Sequence, residues 1–266
     1  MADYDKSIQL NPDYGVAYRN RGIEYLARGE LELAISDFNR TIELEPGLPS
    51  PYVSRGFAHA TLGDLTAAVE DYDRAISVDP AYLDSYINRA SAYDAMGRFE
   101  EAISDYTTAL LLAPNSPTPY FNRGASYHAQ GDLQNALADF KKAVSLDSSS
   151  APAWYNLGVA HEDLGDLEQA VADYTQAIAF APEDINTLIN RALVNSTLEY
   201  HLLAVADMDR AVQIDPTYAK AYLVRAYAHA QLGREVQSQA DIDRAVALGV
   251  DHAKAEKSIT EPTPSP

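Results

Sequence analysis

The 266-residue chain contains 18 Tyr and no Cys, and it carries a formal net charge of −19. Its length admits one large domain or two small ones, the lack of Cys excludes a disulfide framework and a thiolate metal site, and the acidity speaks against nucleic acid or an anionic membrane as partner. Abundant Ala without β-branched runs points to an all-helical fold. With no run of 18 uncharged apolar residues and no basic start or apolar stretch at Met1–Asp5, a soluble, cytoplasmic chain is expected.

In chain order, the first helical pattern covers residues 2–10, where Tyr4, Ser7, Ile8 and Pro12 match the later part of a 34-residue period that runs on to residue 252. Residues 1–14 thus read as the second helix of a repeat whose first helix is absent, either through truncation or because its open face pairs with something else. Seven full repeats follow, at 15–48, 49–82, 83–116, 117–150, 151–184, 185–218 and 219–252, and residues 253–266 read as a short cap and a Pro-rich tail.

Within each repeat, a first helix carries Tyr18, Tyr52, Tyr86, Tyr120, Trp154, Leu188 or Tyr222 at position 4, and Gly or Ala at position 8, from Gly22 to Ala226. A Gly then breaks the helix at Gly29, Gly63, Gly97, Gly131, Gly165 and Gly233. The second helix carries Ala34, Ala68, Ala102, Ala136, Ala170 or Ala204 at position 20, and Phe38, Tyr72, Tyr106, Phe140, Tyr174, Met208 or Ile242 at position 24. Pro12, Pro46, Pro80, Pro114, Pro182 and Pro216 keep the beat at the repeat ends, with Ser148 and Val250 in the vacant slots. Small residues on facing helices let the axes approach, and the large side chains fill the remaining space.

The fifth repeat, with Trp154, Leu157, Gly158, His161, Ala170, Tyr174, Ala177 and Pro182, resembles the tetratricopeptide signature, with His161 where Tyr is usual. The resemblance extends over residues 1 to about 252. It implies a right-handed superhelical solenoid of antiparallel helical hairpins, with the first helices lining a concave groove that binds proteins or peptides.

Two charged rows run with the period: Arg21, Arg55, Arg89, Arg123, Arg191 and Arg225 at position 7, and Asp3, Asp37, Asp71, Asp105, Asp139, Asp173, Asp207 and Asp241 at position 23. They predict ion pairs joining each second helix to the first helix of the next repeat, with one Asp left unpartnered where Leu157 interrupts the Arg row. The His are too far apart in sequence for a helical zinc pair, and His59, His161 and His229 stand where sister repeats have Tyr, as packing residues. No phosphate loop, nucleophile elbow or catalytic triad is legible, so neither an enzyme nor a cofactor is expected.

Position 6 holds Asn20, Asn88, Asn122, Asn156 and Asn190, an amide row in mid-helix where Asn is a poor helix former. It resembles the asparagine ladder of superhelical repeat arrays that hold an extended peptide backbone. Positions 5 and 9 add Val53 and Phe57, Phe121 and Ala125, Tyr155 and Val159, Ile189 and Leu193, and Leu223 and Tyr227, one turn apart and expected to face the groove. The expected peptide site is therefore the Asn row with Phe57, Phe121, Tyr155, Ile189 and Tyr227, and the obvious groove acids are Asp84, Asp94, Glu162 and Asp163. The Lys, Asn and Arg set by which chaperone-adaptor relatives clamp a C-terminal carboxylate does not occur in any three consecutive repeats.

The expected partner is an extended, partly apolar protein segment. The alternative is self-association through the unmatched terminal helices. The tail Ile259–Pro266, with three Pro in eight residues, is expected to be extended and able to compete for the same groove.

Overall fold

The computed structural model describes residues 1–258; the expectation placed on the tail lies outside them. Two compact units divide within one helix, Met1–Asp139 and Phe140–Pro266, and the described residues are helical throughout apart from turns. The first unit contains α1 (Ala2–Leu10), α2 (Gly15–Ala27), α3 (Leu31–Leu44), α4 (Pro49–Thr61), α5 (Leu65–Val78), α6 (Leu83–Ala95), α7 (Phe99–Leu112) and α8 (Pro117–Ala129). α9 (Leu133–Leu146) carries the division. The second unit continues with α10 (Ala151–Asp163), α11 (Leu167–Phe180), α12 (Ile185–Thr197), α13 (His201–Ile214), α14 (Ala219–Gln231), α15 (Glu235–Ala247) and α16 (His252–Lys257).

Local chemistry sets the ends of these helices. Pro at the first turn starts α4, α8 and α10, where its missing N–H costs nothing. Asp64, Ser150, Asp184 and Asp251 accept a backbone N–H at α5, α10, α12 and α16. Between the paired helices the chain turns through a left-handed residue. That residue is Gly at positions such as Gly63, φ +88°, but Glu199, φ +64°, between α12 and α13.

Successive helices pack in antiparallel pairs, and the small position-8 residue is what permits the approach. A Cβ built on Gly56 would stand 2.7 Å from the Tyr72 ring, closer than carbon atoms pack. The core of each unit follows: Val53, Ala68, Tyr72, Ala75 and Ala92 form one cluster in the first unit, and α12 to α14 form a larger one in the second around Leu188, Ile189, Leu193 and Met208. Burying each large apolar side chain contributes about 1.5–3 kcal/mol.

The charged rows pair differently from the expectation. Arg21 reaches Asp37 of its own hairpin through Nε and Nη2, both at 2.7 Å, and Arg55, Arg89, Arg123, Arg191 and Arg225 repeat this two-pronged pairing with Asp71, Asp105, Asp139, Asp207 and Asp241. The ion pair is therefore internal to the hairpin. The link between repeats is made by the remaining nitrogen, Nη1, which reaches back to Asp5, Asn39, Asp73, Thr107, Thr175 or Asp209 of the preceding helix. A planar fork with five donors suits this three-way role, which a Lys cannot fill.

Where Leu157 interrupts the row, Asp173 is not left alone. His161 Nδ1 lies 2.5 Å from Asp173 Oδ2, and Gln169 donates to Oδ1 at 3.3 Å. The expectation of an unpartnered Asp missed that His161, one turn beyond Leu157 on the same helix, reaches the vacated carboxylate. His161 is thus a polar partner as well as a packing residue.

Candidate binding faces

The Asn residues at position 6 stand half-buried on their first helices, accessible without being fully solvated, whereas Val224 at the same position of the last repeat is buried. Asn88 Nδ2 donates to Asp84 O at 2.7 Å and Asn156 Nδ2 to Pro152 O at 3.0 Å, each one turn back on its own helix. Asn190 Nδ2 instead donates to Tyr155 Oη of the preceding repeat at 3.0 Å. Asn122 interacts with Tyr106, and Asn20 is half-buried on α2. Each amide bonded to its own turn keeps one N–H and its carbonyl oxygen for other partners.

Positions 5 and 9 divide. Phe57 is 52% exposed, and Phe121, Tyr155 and Tyr227 are half-buried. Tyr227 meets His201 edge-on at 6.2 Å between ring centroids, and Tyr155 packs on Tyr174 at 5.8 Å. Ile189, only 2% exposed, belongs to the α12–α14 core, and Val53 likewise joins a core cluster. The expectation that Ile189 faces outward is corrected: the apolar neighbours Ile178, Leu193 and Val224 close over it.

The structure brings two sequence-predicted residues together in one recess of the first unit. Phe57, Ala60, Thr61 and Leu65 from α4 and α5, Tyr72 beneath them, and Asn88, Ser91, Ala92 and Ala95 from α6 enclose about 350 Å³. In the second unit a larger open recess of about 690 Å³ lies beside Leu157, between Trp154, His161, Asp173, Asp166 and Lys141. It occupies the neighbourhood where repeats one to four and seven place an Arg guanidinium over the position-4 ring, as Arg89 does over Tyr86 at 5.8 Å.

The acids Asp94 and Glu162 are not open groove charges. Tyr106 Oη donates to Asp94 Oδ2 at 2.9 Å and Ser126 Oγ to Asp94 Oδ1 at 2.7 Å. Tyr174 Oη donates to Glu162 at 2.7 Å. Burial pushes both carboxyls above their ordinary range, against the opposing pull of these hydrogen bonds. Sequence reasoning missed this network, although the signal was there: an acid at position 12 accompanies a Tyr at position 24 in those two repeats. Asp84 and Asp163 are exposed. Among the described residues no cluster of three or more His, Cys, Asp or Glu could hold a metal ion.

The TPR repeat model matches residues 61–97, 91–131 and 126–165, and the tetratricopeptide repeat model matches residues 151–184. With the same 34-residue period on both sides of these segments, the chain belongs to the tetratricopeptide-repeat family. A comparison with curated proteins finds no match. Among solved structures, the C-terminal part of a TPR repeat-containing protein from Cytophaga hutchinsonii aligns at a TM-score of 0.75 and 16% identity over 90% of this chain and 98% of that part. A tetratricopeptide repeat protein from Parabacteroides merdae aligns at 0.65 and 20%, over 92% and 97%. YrrB, described as a TPR protein with an unusual peptide-binding site, aligns at 0.64 and 20%, over 72% of this chain and 99% of its own. These likenesses establish the all-helical solenoid fold.

Proposed function

We propose that this protein-interaction scaffold binds an extended, partly apolar peptide along the faces that carry positions 5, 6 and 9 of the first helices. The observation that carries the reading is the recess in which Phe57 and Asn88, from adjacent repeats, stand on one surface with an apolar floor. YrrB, of the same fold, is described as binding peptide, which supports the class of ligand. No enzymatic role enters this reading, and of the acids on these faces Asp94 and Glu162 are occupied by tyrosine hydroxyls.

Magnitudes assign the roles. A hydrogen bond to an amide contributes about 0.5–1.5 kcal/mol net, whereas ordering a peptide residue costs about 1–2 kcal/mol. The Asn row alone cannot hold a peptide. Side chains such as Phe57, Phe121 and Tyr155 supply the affinity, and Asn20, Asn88, Asn122, Asn156 and Asn190 fix the path of the ligand backbone. The test is to select dodecapeptides from a displayed random library with the intact chain, then titrate a selected peptide into Asn122→Ala and Asn156→Ala. Affinity should fall severalfold with the melting temperature nearly unchanged. A matching loss of thermal stability would reassign the row to helix structure.

Self-association is the second reading, because α1 has no buried residue and Leu10 is 78% exposed, an open face that a second copy could cover.

A further inference from the structure

Position 24 and position 12 follow a rule that repeat two breaks. Repeats three and five place Tyr106 and Tyr174 at position 24 and an acid, Asp94 or Glu162, at position 12 to accept the hydroxyl. Repeats one, four, six and seven have no hydroxyl to satisfy, with Phe38, Phe140, Met208 and Ile242 at position 24. Repeat two alone combines Tyr72 with Ala60.

The consequence is physical. Tyr72 is 1% exposed, and among the described residues its hydroxyl has no hydrogen-bond partner. The ring is packed away, but the hydroxyl is not among the enclosed unpartnered polar atoms and so keeps access to solvent. The recess of about 350 Å³ opens at this site, lined by Ala60 and Phe57. These are the counterparts of Asp94 and Ser91, the two residues that Tyr106 Oη meets. By the same register Tyr72 Oη points into the recess.

We propose that this recess is a side-chain pocket for the bound peptide, and that its occupant is a glutamine whose amide oxygen takes the place of the missing position-12 acid. The proposal rests on the peptide-binding reading above. Phe57, Leu65, Ala60 and Ala95 flank the methylene stem, Tyr72 Oη donates to the amide oxygen, and Asn88 has a second N–H beside it. Ser91 and Thr61 hydroxyl oxygens are available to the amide N–H groups. A glutamate would present the same acceptor, but the lining has no cation and the chain carries a net charge of −19, so the neutral amide is favoured. The direction in which burial shifts Asp94 and Glu162 agrees, since a charge at this depth is disfavoured.

The experiment is the same random-library selection, run in parallel on the wild-type chain, Tyr72→Phe and Ala60→Glu. Both variants use residues that sister repeats already hold at these positions, Phe38 and Glu162, so both should fold. Wild type should enrich Gln at one fixed peptide position beside apolar residues. Both variants should lose that enrichment while retaining the apolar ones, and a Gln peptide should bind Tyr72→Phe about tenfold more weakly. Apolar peptides without a fixed Gln, Gln enrichment that survives Tyr72→Phe, or enrichment of Glu in its place would overturn the pocket assignment and leave the peptide-binding reading standing. Recovery of no peptide at all would overturn both.

Discussion

Asp94 shows how a single residue sets a pH dependence. Its carboxyl is half-buried between Tyr106 and Ser126, and burial outweighs their hydrogen bonds, so its pKa is raised. The folded state then holds this proton more tightly than the unfolded chain does. The site's contribution to stability is greatest below the ordinary carboxylate range and is lost as pH rises through the raised value. Asp94→Asn removes this slope. Melting curves of wild type and Asp94→Asn across about pH 3 to 7 should converge at low pH in a way that parallel curves would refute. His229 has the opposite sign: it is 8% exposed, its Nδ1 has no partner, and burial lowers its pKa. Stability at that site is present above the ordinary His value and is lost as pH falls through the lowered one, so His229→Tyr should reduce acid sensitivity in the same melts.

The hairpins depend on their guanidinium forks. Arg89 binds both oxygens of Asp105, which is buried, and bridges back to Asp73. Removing it strands a buried carboxylate, at a cost of about 3–5 kcal/mol for a pair of this kind. Arg98, an exposed partner of Glu101 within the first turn of α7, should matter far less. Urea unfolding should therefore show a large loss for Arg89→Ala and a small one for Arg98→Ala; equal losses would remove the fork from any special role. At this scale the sequence was highly legible, because Ala, Gly and aromatic residues recur at spacings that only paired helices satisfy. It misdirected the Arg and Asp rows, since a row of period 34 cannot distinguish a partner within the repeat from one in the next.

For the whole molecule, legibility falls off where the chain departs from its own period. The class of fold was readable from residues such as Gly56 and Tyr72, whose contact is local and repeated. Which outward positions stay open was not, because burial of Ile189 depends on Ile178 and Val224 in neighbouring helices. The Tyr and acid pairing was visible only after distances showed which positions meet. The open face of α1 belongs to this scale too: if a second copy covers it, light scattering over a concentration range should show growing mass, whereas a constant monomer mass would rule out self-association.

The recess beside Leu157 also constrains how this chain can change. Asp173 is already held by His161 and feels the charge of Lys141, which occupies the position where the other forks find Asp, Asn or Thr. Matching the sister repeats by Leu157→Arg alone would set a guanidinium against a cation and a carboxylate that is partly taken. Lys141→Thr and His161→Tyr alone would each remove a companion of Asp173 and put no guanidinium there. Leu157, His161 and Lys141 are thus epistatic: each single change should destabilise, while the triple change should recover much of the loss, with coupling of about 0.5–3 kcal/mol in a mutant cycle. Repeat five is separated from the form of its sister repeats by a valley, and the order of substitution decides whether it can be crossed.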